Sequence, residues 1–194
     1  MIFMKLKREI EQKLNQIIKK IFEGDDWDFK HTLSAVSAMK RIVLIEGGDE
    51  KVLVTVMYLH DIGYAGALRN GYTLEERIEA KSKHMELGAI KAKEILSTLS
   101  YSNEEISKIV HLIRIHDKID ELKTKDELLV FEADSIAQID PIVGNSFGEE
   151  EFAKYVEIFD RRRAPKFVTV TGKNLLKQFA TENKLFAKYS KFVL

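Results

Sequence analysis

Only two prolines occur in the chain, Pro141 and Pro165, and both stand late, where a helical hydrophobic pattern should stop. Proline removes a backbone donor and clashes with the preceding turn, so its scarcity leaves nearly all of the sequence free to be helical. The apolar residues use that freedom. Ile10, Leu14, Ile17, Ile18 and Ile21 recur at helical spacing in an otherwise charged segment, which predicts an amphipathic N-terminal helix ended by Gly24. Asp28 can cap a second helix carrying His31, Ala35, Ala38 and Ile42, with Gly47-Gly48 stopping it. Residues 49–59 are apolar almost all round, the pattern of a helix in the middle of a core, and they place His60-Asp61 at that helix's C-terminal end.

Three capping-box patterns then punctuate the chain: Thr73-x-x-Glu76, Ser102-x-x-Glu105 and Thr124-x-x-Glu127. They restart helices that run toward His84, that bear His111 and His116, and that bear Asp134. Gly63, Gly66, Asn70 and Gly71 predict a flexible loop ahead of the first box. A turn at 144–148 precedes a further helix, and Thr171-Gly172 should open the last. Phe167 to Thr171 could form a short strand, but nothing offers to pair with it, so it reads as extended loop. No internal repeat is found. The expectation is an all-α fold, one domain over all 194 residues with a C-terminal helical extension over about 149–194.

Charge narrows the partners. The chain holds 31 Lys+Arg and 31 Asp+Glu, a formal net charge of zero, which argues against non-specific nucleic-acid binding as its main role. The charge is segregated, however: from Arg161 to Leu194 nine Lys/Arg face a single Glu, so a local anion-attracting wall can be built there. Phe167, Phe179, Phe186, Tyr189 and Phe192 interleave with those lysines, and their spacing suits packing of a last helix better than stacking on bases. There is no cysteine, so any metal must be held by His, Asp or Glu. The N-terminus lacks the apolar core of a signal peptide, and the longest apolar run, Val52 to Leu59, is too short to span a bilayer. A cytoplasmic protein without a membrane partner is expected.

Five histidines, at 31, 60, 84, 111 and 116, all sit on predicted helices. Any one of them alone reads as an ordinary core or surface residue. Together the balance reverses, because a divalent metal wants imidazole and carboxylate donors converging from different elements. His31, His60, Asp61, His84, His116 and Asp134 would supply them from neighbouring helices. Adjacent helical residues point roughly 100° apart, so His60 and Asp61 can clasp one or two ions from a single backbone position.

The order His31, His60-Asp61, His84, His116, Asp134 resembles the HD-domain metal-dependent phosphohydrolases. Local contexts carry the likeness: His31-Thr-Leu-Ser-Ala-Val, Leu59-His-Asp-Ile-Gly, Lys83-His-Met-Glu-Leu-Gly-Ala, Ile113-Arg-Ile-His and Glu132-Ala-Asp-Ser-Ile, together spanning roughly residues 28–140. The resemblance implies an HD-domain helical bundle. It implies a first metal on His31, His60, Asp61 and Asp134, and a second on Asp61, His84 and His116, as in the binuclear subgroup, with His60 and Asp61 at the catalytic centre. His111 competes with His116 for the last place. Five residues apart, they point about 140° away from each other, so one helix cannot aim both at one ion. The Ile-x-x-His context favours His116 and leaves His111 to support a ligand or contact substrate. Asp117 is expected to face solvent or to support a ligand.

Two divalent ions could share a water, lower its pKa toward ~7 and hold a phosphoryl oxygen during in-line attack. Mixed imidazole and carboxylate donors favour Mn, Fe, Co, Ni or Zn over Mg. The expected activity is hydrolysis of a phosphoester or phosphoanhydride in a small phosphorylated molecule, in the first place a nucleotide or dinucleotide. The alternative is a metal- or nucleotide-binding regulatory module without turnover. Candidate phosphate partners are Arg69, His111, Arg114, Lys118, the triplet Arg161, Arg162 and Arg163, and Lys166. Many family members carry Lys after His-Asp-x-Gly; here Tyr64 stands in that place and brings no positive charge. The absence of Gly-Tyr-Pro disfavours a cyclic-di-GMP phosphodiesterase of the HD-GYP kind. The N-terminal amphipathic helix or the final helix could form a homodimer face.

Overall fold

The structure, a computed structural model, describes residues 5–65, 73–145 and 148–192. The described residues are helical throughout, with no strand among them: α1 (Arg8–Ile21), α2 (Asp26–Glu46), α3 (Glu50–Leu59), α4 (Leu74–Ser97), α5 (Asn103–Ile115), α6 (Lys125–Ala137), α7 (Glu149–Arg162), a short 3-10 turn (Ala164–Lys166), α8 (Val170–Glu182) and α9 (Lys184–Tyr189). The all-α expectation therefore holds.

The three capping boxes form as read. In each, the Thr73, Ser102 or Thr124 hydroxyl accepts from the backbone N–H of the Glu three residues on, and that Glu reaches back to the cap's own N–H. The start of α2 differs. Asp25, not Asp28, caps it by accepting from Asp28 N at 3.0 Å, which frees Asp28 to turn inward, where it is buried. A shift of three residues turns Asp28 from a terminus marker into a buried partner of Arg77.

At the centre lies α3, with every residue from Val52 to Leu59 buried. It packs on α1, α2, α5 and α6, and α2 packs on α6 across it. Burying such side chains contributes about 1.5–3 kcal/mol each, so the chain leading into His60-Asp61 is firmly held. The amphipathic stripe of α1, Ile10, Leu14 and Ile18, closes one side of this core.

At the C-terminal end one helix was expected and two form, α8 and α9, with Asn183 between them capping the second through Phe186 N. Before α8, Phe167 is extended and Thr169 caps the helix at Gly172 N, so only the front of the 167–171 segment is loop. The buried Glu132 carboxylate on α6 accepts from Val168 N (2.6 Å) and Thr169 N (2.9 Å) and fastens this turn to the bundle. No helix among the described residues is long and apolar enough to cross a membrane.

Candidate metal centre

Each candidate ligand reaches the same point from a different element. His31 comes from α2, His60 and Asp61 from the turn closing α3, His84 from α4, His116 from the residue after α5, and Asp134 from α6. All six are buried. The turn after α3 can lie this close to α4 because position 63 is glycine. A Cβ there would stand 1.9 Å from the backbone oxygen of His84, so Gly63 is a close-packing residue rather than the start of a flexible loop. Gly66, Asn70 and Gly71 lie outside the described residues, as does Arg69.

The ring orientations share one device. His60 Nδ1 donates to Met57 O (2.8 Å), His84 Nδ1 to Lys81 O (2.7 Å) and His116 Nδ1 to Ile113 O (2.8 Å), each three residues back. A carbonyl accepts only, so Nδ1 carries a proton in each ring, and Nε2 is the atom turned toward the centre. His31 is set differently, by the parallel ring of Trp27 at 5.1 Å.

Two donor groups result: His31, His60, Asp61 and Asp134 in one, and Asp61, His84 and His116 in the other, with the ligand atoms of each within 4.8 Å of one another. Asp61 belongs to both. Its Oδ2 lies 3.4 Å from the Nε2 atoms of His31 and His60, while its Oδ1 lies 3.4 Å from His84 Nε2 and 3.5 Å from His116 Nε2. Asp134 Oδ1 lies 3.1 Å from His31 Nε2, and its Oδ2 turns the other way, toward Arg163.

Burial alone would raise the pKa of both carboxylates. At Asp61 the surrounding imidazoles, His60 foremost, outweigh it, and at Asp134 the Arg163 guanidinium and His31 do so, holding both well below the usual carboxylate range. Burial lowers the proton affinity of His60, but the neighbouring Asp61 and Asp134 prevail and push its pKa up to about 9. Two ionised carboxylates and four imidazoles converging where water is scarce form a set that a divalent cation fits, since buried like charges are costly until a counter-charge sits among them.

The model of the HD domain family matches residues 28–139. The chain belongs to the HD-domain family. That family binds divalent metals and comprises, as a class, metal-dependent phosphohydrolases. Comparison with the curated proteins and with the solved structures returned no match.

Beyond the candidate ligands, a cavity of about 430 Å³ opens. Asp61 and Asp134 reach its floor; Arg77, Lys81, Arg161, Arg162 and Arg163 supply cations, and Trp27, Tyr64, Phe152 and Tyr155 supply aromatic surface. Of the expected substrate contacts among the described residues, the Arg161-Arg162-Arg163 triplet lines this cavity, and Arg163 is committed to carboxylates: Nη2 donates to Asp134 Oδ2 and Nη1 to Asp117 Oδ1 at 2.8 Å. Asp117 is therefore a buried partner of Arg163 and Lys81 rather than a solvent-facing residue.

The remaining expected contacts are occupied elsewhere. His111 is 58% exposed at its side chain and bonds Glu127 Oε1 at 2.9 Å, so it meets neither the donor groups nor the cavity wall. Arg114 makes a two-pronged bond to Glu86 (2.8 and 2.9 Å) on the outside of α4, because its α5 position faces that helix rather than the cavity. Lys166 pairs with Asp120 at 3.4 Å and Lys118 with Glu121 at 3.9 Å, both at the surface. Sequence reasoning missed Trp27, Arg77, Gln138 and Tyr155. Trp27 precedes His31 by four residues and Gln138 follows Asp134 by four, while Arg77 precedes His84 by seven; helical spacing from each candidate ligand could have found all three. Gln138 Nε2 donates to both Asp134 oxygens (3.1 and 2.9 Å), and Tyr155 Oη donates to Gln138 Oε1 at 2.8 Å.

Proposed function

We propose that the protein hydrolyses a phosphoester or phosphoanhydride in a small phosphorylated molecule, with a nucleotide as the preferred substrate class, using two divalent metals. The observation that carries this reading is the division of Asp61: one carboxylate oxygen faces each donor group, at the floor of a cation-rich cavity. His31, His60, Asp61 and Asp134 would hold one ion; Asp61, His84 and His116 would hold the other. Donors of this mixture suit Mn, Fe, Co, Ni or Zn better than Mg. Such ions supply positive charge for a phosphoryl oxygen and a water acidified enough to act as nucleophile at neutral pH.

The residues of the chain do the rest. Asp134 is held in one orientation by Gln138 and Arg163, and His60, His84 and His116 are held by their backbone carbonyls, so the donors are arranged before anything binds. The cavity volume falls within the range of small-ligand sites, about 300–1,000 Å³. Its aromatic side, Trp27, Phe152 and Tyr155, offers flat apolar surface for a base or other ring, while the cations suit phosphate.

The deciding experiment loads the protein with Mn, Fe, Co or Ni and follows phosphate release from nucleoside mono-, di- and cyclic phosphates and dinucleotide polyphosphates. Turnover that disappears in Asp61→Ala supports the reading. Tight metal binding with no turnover on any phosphoester points instead to a regulatory binding module. Normal activity in both His60→Ala and Asp61→Ala refutes the site.

A further inference from the structure

We infer that Arg77 is the residue that grips the phosphoryl group of the substrate, held for that purpose by two aromatic rings that link one donor group to the other. The inference rests on the phosphohydrolase reading and adds a residue to it. Arg77 lies on α4 seven residues before His84, nearly two full turns, so both side chains leave the helix on the same face. Its guanidinium lines the cavity, with Nη2 3.5 Å from Asp61 Oδ2, the oxygen turned toward His31 and His60.

Two aromatic rings pack against the guanidinium. Its Cζ lies 3.7 Å from the centre of the Tyr64 ring and 4.9 Å from that of the Trp27 ring. Each ring is itself stacked on a candidate ligand: Tyr64 on His84 at 4.0 Å and 10°, Trp27 on His31 at 5.1 Å and 2°. The order His31, Trp27, Arg77, Tyr64, His84 therefore spans the two groups with the cation in the middle. Asp28 Oδ1 accepts from Nη1 at 2.9 Å and fixes the rotation of the fork.

The chemistry follows from that placement. A guanidinium presents planar, paired N–H donors that match phosphate oxygens, and contact with aromatic rings orients that plane. Once cations neutralise Asp61, a fixed positive charge beside it favours an anion in the adjoining cavity. Because the side chain is already immobilised, gripping that anion costs little reordering. Among the other wall cations, Lys81 pairs with Asp117, Arg162 with Asp120, and Arg163 with Asp117 and Asp134. Of the wall cations, Arg77 is the one within 4 Å of Asp61, the carboxylate common to both donor groups.

Inorganic phosphate titrated calorimetrically into the Mn-loaded protein is the direct probe, with metal content measured on the same samples. Arg77→Gln should retain its metal and lose phosphate affinity by about 10- to 100-fold, the scale of a lost charge-assisted bond. Arg77→Lys should recover only part, since charge returns without the planar fork. If Arg77→Gln does not fold, Tyr64→Leu removes one of the two rings, keeps the charge, and should weaken phosphate several-fold. Phosphate affinity equal to wild type in the variants that fold, or a loss that tracks lost metal, overturns the role of Arg77. A wild-type protein that turns over no phosphoester refutes the phosphohydrolase reading instead, while the phosphate titration still tests Arg77.

Discussion

Arg163 Nη2 donates to Asp134 Oδ2 at 2.5 Å, joining the end of α7 to the donor cluster. Arg163 lies outside the matched family segment of residues 28–139, yet it is buried and also bonds Ser135 Oγ (2.9 Å) and Asp117 Oδ1 (2.8 Å). The C-terminal helices thus contribute an internal counter-ion to the site as well as apolar packing.

Replacing Arg163 should therefore be costly. Arg163→Met leaves Asp117 and Asp134 without their guanidinium, and stranding buried charge of this kind costs about 3–5 kcal/mol. Urea denaturation should show that loss. Metal added to the variant should restore more stability than it adds to wild type, because it neutralises part of the exposed debt at Asp134.

The two donor groups can be separated by metal counting. Asp61→Ala removes a ligand from both groups and should reduce bound metal to near zero. His84→Ala touches one group only and should leave about one ion per chain, with activity down by 10² or more. Elemental analysis after gel filtration reads both outcomes, and equal stoichiometry in the two variants contradicts a shared Asp61.

Glu127 carries a pH dependence. Burial would raise its pKa, but bonds from the backbone N–H groups of Thr124 and Lys123 and from His111 outweigh that and bring it down to about 2. A folded pKa below the unfolded value gives stability that is present above about pH 4.5 and is lost as the pH falls toward 2. Glu127→Gln should destabilise the protein at neutral pH by on the order of 2 kcal/mol, and the gap from wild type should close on acidification through that window.

Gly63→Ala should damage the site without touching a ligand. The added Cβ meets the His84 backbone oxygen, so the turn after α3 and helix α4 must move apart, at about 1–3 kcal/mol or more. A lower melting temperature together with weaker metal binding at the His84 and His116 side is the expected result. Gly88→Ala, whose Cβ would lie 3.3 Å from His60 O, should be milder.

Much of this protein was legible in one dimension. Scarce proline, helical periodicity and three capping boxes define the helices locally, because caps and amphipathic stripes are made by residues three or four apart. The ligand order was legible for a related reason: His60-Asp61 ends an apolar helix whose burial is dictated by its own composition. Asp28 was misread as a cap because Asp25 offers the same side-chain chemistry three residues earlier, and only packing decided between them.

What the tertiary structure decided is which charges meet. Arg77 and Arg114 both sit on helices beside candidate ligands, yet one is drawn against Trp27 and Tyr64 and the other out to Glu86. His111 and His116 share one helical stretch and face opposite surroundings. Local sequence sets where a helix begins and which stripe is apolar; the rotation of each helix against its neighbours, which aims individual polar side chains at an ion, a carboxylate or solvent, is a property of the assembled bundle.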